Sequence, residues 1–348
     1  MLVAALGAAL GLGILLIFTS GDVPRADEWN TPGDFLVAKA NGTATFASLF
    51  CQHNESRVIF AKLLTEALSR LWGWNQHVLH ALNWMLLAVT AFLFVRIAAR
   101  SWPREQRLGW PAVLVLCSAV CLTFTPVQWR NILSSGQIIT LCIPCLLIAG
   151  IYLNLKEHLP IWVRYSCAAI FSLIASFSFI NGLMLWFLLW PAPASMLKRA
   201  SPKLSRSEAV ATVLYFCAAV TVIVAFFSGY QKPPEHPSLI AGLMAPHRAL
   251  FFTLTLLSGP VFAEQTVHWA LEGNFVPLFF CGGLFGIVGL LLVIYLVKNR
   301  LAFVSWDLAV RLFPFVVLLA YSVLSASLIG IARGRLGMFG NLSRYSLR

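Results

Sequence analysis

Apolar residues run along this chain in long uninterrupted stretches, separated by short polar links. A helix needs roughly 20 apolar residues to cross the hydrocarbon core of a bilayer. Nine stretches approach that length, near 2–19, 77–98, 110–127, 138–155, 161–180, 183–197, 208–228, 275–297 and 306–331. Only Asn181-Gly182, a tight-turn signal, separates the fifth from the sixth. The pattern predicts an all-α, polytopic transmembrane helical bundle of about nine spans, a single transmembrane domain over 1–348. The first stretch has no basic residue ahead of it and no clear small-residue cleavage site after it. It reads as a retained span rather than a signal peptide.

Two links are long. The link 20–76 is polar and holds six of the thirteen acids: Asp22, Asp27, Glu28, Asp34, Glu55 and Glu66. Within it, residues 57–74 place apolar side chains at helical spacing, with Lys62, Glu66 and Arg70 four apart on one face. That spacing predicts an amphipathic helix lying on the membrane surface. The link 229–274 opens with the rigid turn YQKPPEHP and continues into an apolar stretch at 248–259. A further crossing there breaks the charge alternation of the loops, so an interfacial or re-entrant helix is expected.

Composition strengthens the membrane reading. The chain is 59% hydrophobic and 11% charged, against roughly 25% charged in soluble domains. The net charge of +12 comes from 25 Lys and Arg against 13 Asp and Glu. Nucleic-acid binding does not follow, because the basic residues gather in short links between apolar stretches. Arg96, Arg100, Arg104 and Arg107 flank the link after the second stretch, Lys156 and Arg164 the link after the fourth, while Lys198, Arg199, Lys203 and Arg206 follow the sixth and Lys298 and Arg300 the eighth. With nine alternating spans these links share one side, which places them and the N-terminus in the cytoplasm.

Of eight cysteines, seven lie in apolar stretches and Cys51 has no loop partner, so no disulfide framework is expected. Cys142-x-x-Cys145 sits within ITLCIPCLLIAG, where thiols behave as small apolar groups. His77 and His80, with Asn83 nearby, have the spacing of a metal pair but suit interfacial anchoring better.

Four polar clusters fall on the side opposite the basic links. Asp27 and Glu28, directly after the first span, can accept a proton or bind a metal ion. Gln52-His53-Asn54-Glu55-Ser56-Arg57 is denser in functional groups than helix capping requires, and Arg57 has the donor fork for a phosphate. Gln128, Asn131 and Gln137 stand in the link between the third and fourth spans. Arg333, Arg335, Arg344 and Tyr345 follow the ninth span. The positive-inside rule does not account for their charge, which suits a phosphate, a pyrophosphate or anionic lipid.

Taken together these residues resemble the GT-C class of membrane glycosyltransferases, and within it bacterial members with an acidic-Trp motif after the first span. The matching pieces are Asp27-Glu28-Trp29, Gln52-His53-Asn54-Glu55-x-Arg57, Gln128-x-x-Asn131 with Gly136-Gln137, Asn181-Gly182 leading to Trp190-Pro191, and Ser343-Arg344-Tyr345. The resemblance implies transfer of a sugar from a polyprenyl-phosphate donor to a glycan or lipid acceptor, outside a bacterial inner membrane. It implies Asp27, then Glu28, as general base or as ligand of a divalent metal ion. Arg57, Arg335 and Arg344 become the cations for the donor phosphate. Two features depart from the class. Ser56 stands where a second His is expected, and the class adds spans after the Arg-Tyr motif. A transporter or flippase of lipid-linked glycan and a non-catalytic assembly protein are the competing readings. Midspan acids are absent, which counts against proton-coupled transport. The enzyme reading expects Asp27, Glu55 and Arg344 around one cavity.

Overall fold

The computed structural model of the chain describes residues 2–19, 21–24, 28–102, 109–124, 132–156, 158–199, 203–234, 239–254, 256–257 and 306–333, with positions 283, 287, 291 and 294. Asp27, Gln128, Asn131, Arg335, Arg344, Tyr345 and most of the expected span 275–297 lie outside the described residues.

Among the described residues every regular element is helical. Five segments are long and apolar enough to cross a membrane, 76–101, 135–154, 180–197, 206–227 and 309–332. That is the composition of an integral membrane protein. Among the described residues the count is thus five, and the nine stretches read from the sequence are not all of that length there. Two more form shorter apolar helices, Ala112–Thr123 and Ile161–Ser176, and the first forms a helix over Leu2–Thr19.

The chain divides into two compact units, Met1–Phe124 with Ile132–Gln231, and Thr125–Asn131 with Lys232–Arg348. The first unit begins with α1 (Leu2–Thr19). A kinked turn at Trp29–Gly33 leads into α2 (Asp34–Ala40), α3 (Phe46–Phe50) and α4 (Ile59–Trp72). Then come α5 (Gln76–Ser101), α6 (Trp110–Thr123), α7 (Ile138–Asn154) and α8 (Ile161–Ser176). A 3₁₀ turn at Ile180–Met184 precedes α9 (Leu185–Leu188), α10 (Ala192–Arg199) and α11 (Arg206–Phe227). α1 packs on α5 and α6, α5 on α7, α7 on α8, and α8 on α11.

Local chemistry sets the helix starts. Thr45 and Ser48 form a reciprocal capping box for α3, and Ser205 and Glu208 form one for α11. The Asn75 side chain accepts from Val78 N at 3.2 Å and starts α5. The expected sixth span is interrupted before Ala192, because Pro191 lacks an N–H and disfavours helix at Trp190. Asn154 in α7 donates to the Leu189 carbonyl at 2.9 Å, so the interruption leaves that buried oxygen satisfied. Gly150 permits this approach, since a Cβ there would lie 2.6 Å from the Leu189 side chain.

α4 forms where the amphipathic pattern predicts a helix, but the first part of its polar face is covered while Arg70 stays exposed. Lys62 and Thr65 are each 2% exposed, whereas Leu71 is 70% and Trp72 57% exposed. Of the three residues expected on one face, the α3 carbonyls recruit Lys62 inward, Glu66 is half-buried and Arg70 remains exposed. Glu66 pairs with Arg70 at 2.6 Å and with Lys39 at 3.4 Å.

The Arg70 hydrogen bond holds the Glu66 carboxyl below its usual 4.5; partial burial opposes it, and Lys39 adds to the lowering. A depressed carboxylate pKa contributes stability above the unfolded value, and that contribution is lost as pH falls through the folded one. The two cations are largely solvated, so the gain is about 0.3–1 kcal/mol. Glu66→Gln is expected to lower the unfolding midpoint slightly at pH 7 and not at all near pH 3. Melts in detergent at the two pH values measure this, and an equal loss at both would contradict it.

In the second unit, α12 (Leu239–Leu243) packs on α14 (Trp306–Arg333). Between them in sequence lies α13 (246–254). Thr253 on α13 donates to Ala249 O at 2.8 Å and contacts Ala326 O at 3.4 Å. Gly330 allows that close crossing, since a Cβ would lie 2.6 Å from Ala249 O. The interfacial helix expected over 248–259 is therefore helical in its described part, and it packs on α14.

Candidate functional site

Glu28 sits at the entrance to the kinked turn and is 3% exposed. Its Oε1 accepts from Ser134 Oγ at 2.9 Å and from Gly136 N at 3.3 Å. The donors belong to the 3₁₀ turn Ser135–Gln137 and the residue before it, directly ahead of α7. A carboxylate there also meets the positive end of the helix dipole. Gly136 provides the space, because a Cβ would lie 3.4 Å from Glu28 Cγ.

Asn83, fully buried on α5, fixes the Ser134 loop from below. Its Nδ2 donates to Ser134 O at 2.9 Å and to Ile132 O at 3.3 Å. Trp29 packs edge-on against Trp74 at 5.2 Å, and Asp22 accepts from Gln76 N at 2.7 Å. Gln137 accepts from Thr140 Oγ1 through its side chain at 2.8 Å. Two expected motifs, Glu28-Trp29 and Gly136-Gln137, thus come together.

The motif 52–57 is a tight turn. His53 and Ser56 exchange backbone hydrogen bonds of 2.8 and 2.9 Å, and Asn54 takes a φ of 50°. Gln52 clips Gln231, accepting from its N at 3.1 Å and donating to its O at 2.6 Å. Ser56 Oγ accepts from Ile180 N at 3.1 Å, joining this turn to the Asn181-Gly182 motif. The structure therefore gives Ser56, which departs from the class pattern, a role as an anchor.

Arg57 is 5% exposed. It donates to Phe226 O at 2.7 Å, to Phe50 O at 2.5 Å and to Ser228 O. These are carbonyls at the ends of α11 and α3, where helices leave acceptors without partners. Its guanidinium also lies 4.5 Å from the Phe50 ring. Burial pushes its pKa down from the ordinary value, with a nearby cysteine opposing. This setting is a double helix C-cap, unlike the open surface contact expected for a phosphate ligand.

Beside the turn lies a cavity of about 210 Å³, lined by Asn30, Thr31, Asp34, Phe35, Ser48, Cys51, Gln52, His53 and Lys62. Lys62 Nζ donates to Ser48 O at 2.9 Å and lies 3.0 Å from Cys51 Sγ. His53 thus borders a cavity, whereas Glu55 is half-buried on the turn beside it.

Among the described residues no group of three His, Cys, Asp or Glu side chains could hold a metal ion. Glu28 Oε1 is held by an O–H and an N–H donor. Cys142 and Cys145 are buried free thiols.

Sequence reasoning did not single out Ser134, Asp34 or Lys62 as site residues. Ser134-Ser135-Gly136 at the foot of an apolar span was the available signal for the first. Asn83 drew attention only through its neighbouring histidines. No protein-family model, curated protein or solved structure matches this chain.

Proposed function

We propose that the chain is a membrane glycosyltransferase that moves a sugar from a polyprenyl-phosphate donor to a glycan or lipid acceptor. The reaction is placed at the extracytoplasmic face of a bacterial inner membrane, with the N-terminus cytoplasmic. One observation supports this reading most. Polar motifs scattered along the sequence converge, with Glu28 held by Ser134 and Gly136, and Asn30 and Thr31 sharing a cavity with Gln52 and His53.

The acidic pair Asp27-Glu28 supplies the base. It takes the proton from the acceptor hydroxyl, whose oxygen attacks the anomeric carbon. The bond from that carbon to the phosphate oxygen breaks, and polyprenyl phosphate leaves with the electron pair. Ser134 and Gly136 fix the Glu28 carboxylate, which removes the orientational cost of the proton transfer. Basic residues stabilise the leaving phosphate. Arg335 and Arg344 keep that part in this reading, and Arg57 orders the turn beside the cavity.

The test is transfer of labelled sugar from polyprenyl-phosphate donors in proteoliposomes, for wild type, Asp27→Asn and Glu28→Gln. At least one variant is expected to lose about 10²-fold or more at unchanged protein level. Full activity in both would remove the carboxylates from the mechanism. No transfer by wild type from any donor would overturn the transferase reading.

A further inference from the structure

Two opposite charges line the 210 Å³ cavity without pairing with each other. Lys62 is 2% exposed, and its ammonium contacts two α3 carbonyls and the Cys51 thiol. All three partners are neutral in their ordinary states, so no described carboxylate compensates its charge. The Leu49 carbonyl at 3.3 Å is distant, and a thiol is a poor acceptor. A ligand oxygen bearing negative charge would displace either one. Asp34 borders the same cavity and is exposed, with no ion-pair partner among the described residues. His53, Asn30 and Thr31 add hydrogen-bonding groups.

We propose that this cavity binds the zwitterionic head of an aminoalkyl phosphate, with the phosphate toward Lys62 and His53 and the ammonium toward Asp34. A simple anion would satisfy Lys62 and be repelled by Asp34, and a simple cation would do the reverse. A head carrying both charges satisfies the two ends at once. The volume is below the roughly 300–1,000 Å³ of drug-sized sites, which suits a head of few heavy atoms. Trp29, 50% exposed, and Phe46, 75% exposed, stand on two of the elements that border the cavity, the kinked turn and α3. Exposed aromatic rings of this kind sit at membrane–water interfaces. A phosphoethanolamine lipid is therefore the expected source, and the soluble compound is the other.

This site goes beyond the transfer reaction, and its test reads lipid retention instead of activity. The full chain, purified in detergent, is equilibrated with phosphatidylethanolamine, phosphatidylglycerol or phosphatidylcholine and weighed by native mass spectrometry. Ethanolamine lipid is expected to be retained on the order of tenfold over the glycerol lipid, as one charge-assisted contact provides. Asp34→Asn should bring the two to equal retention, and Lys62→Met should weaken both. Lys62 also caps α3, so Lys62→Met risks misfolding, whereas Asp34 at the rim does not. Equal retention of both lipids by wild type, or unchanged selectivity in Asp34→Asn, would overturn the proposal. With selectivity established, competition by soluble O-phosphoethanolamine assigns the site to the free compound. Its failure to compete assigns the site to the lipid.

Discussion

Arg57→Met is expected to destabilise the first unit by about 4 kcal/mol or more. The guanidinium reaches the carbonyls of Phe226, Ser228 and Phe50, from two helices far apart in sequence. A hydrogen bond from a charged donor contributes about 1.5–3 kcal/mol, and a buried acceptor left without a partner costs about 1–3 kcal/mol. The three contacts do not simply add, because one side chain serves them all. Even a partial sum is a large share of the 5–15 kcal/mol typical of folded domains. Arg57→Lys should recover less than half of the loss, since an ammonium is a point charge and cannot fork toward three carbonyls. The ring of Phe50 beneath the guanidinium adds a contact that methionine does not replace. Denaturant titration in micelles measures the effect. A loss below about 1 kcal/mol would show that the carbonyls find other donors and that Arg57 is dispensable to the fold. The same measurement bears on function, because a phosphate-binding arginine would lose activity on substitution while keeping stability.

The second large effect is expected at Gly182. Its N donates to Phe179 O at 2.8 Å, and the 3₁₀ turn it belongs to packs on the last turn of α8. A Cβ at this position would fall deep inside the Ala175 carbonyl and 2.8 Å from Ser176 N. Both obstacles are backbone, so no rotamer change relieves the clash. Gly182→Ala should cost at least about 3 kcal/mol, at the upper end of overpacking. The damage should also spread. Displacing Ile180 breaks its bond to Ser56 Oγ, and α4 is tied to the same α8 end through Phe60 N and Phe177 O at 3.0 Å. Amide exchange in the 52–57 turn should therefore rise together with exchange at 177–184. Gly11→Ala is the control, as nothing lies within 4 Å of the added carbon. It should be neutral or stabilising by up to about 1 kcal/mol, through helix propensity. Equal behaviour of the two substitutions would refute the packing argument.

Much of the architecture is local and was legible in the residues themselves. Length and apolarity decide that a segment is a helix of membrane-crossing size, and this needs no knowledge of its neighbours. The helices over 76–101, 138–154 and 206–227 follow the apolar stretches closely. Asn181-Gly182 announced a turn, and Pro191 carries its own reason for breaking the helix. The amphipathic period of 57–74 likewise predicted α4, since spacing along a helix is a property of the chain alone.

Which polar groups meet is a different matter. Periodicity shows that Lys62, Glu66 and Arg70 share a face, but it does not say whether water or protein covers that face. The α3 carbonyls drew the lysine inward, while Arg70 on the same face stays exposed. Arg57 was expected to hold a phosphate, and the same donor fork serves carbonyls as well. Its partner Phe226 is 169 residues away. Glu28 meets Ser134 across 106 residues, and Gln52 meets Gln231 across 179. Pairings at such separations depend on which helices pack side by side, and side-chain chemistry does not encode that. The sequence by itself determined a helical membrane protein with polar motifs in a set order. Tertiary packing decided that Asp34, a tight turn and a buried lysine line one cavity, because only packing brings their elements side by side.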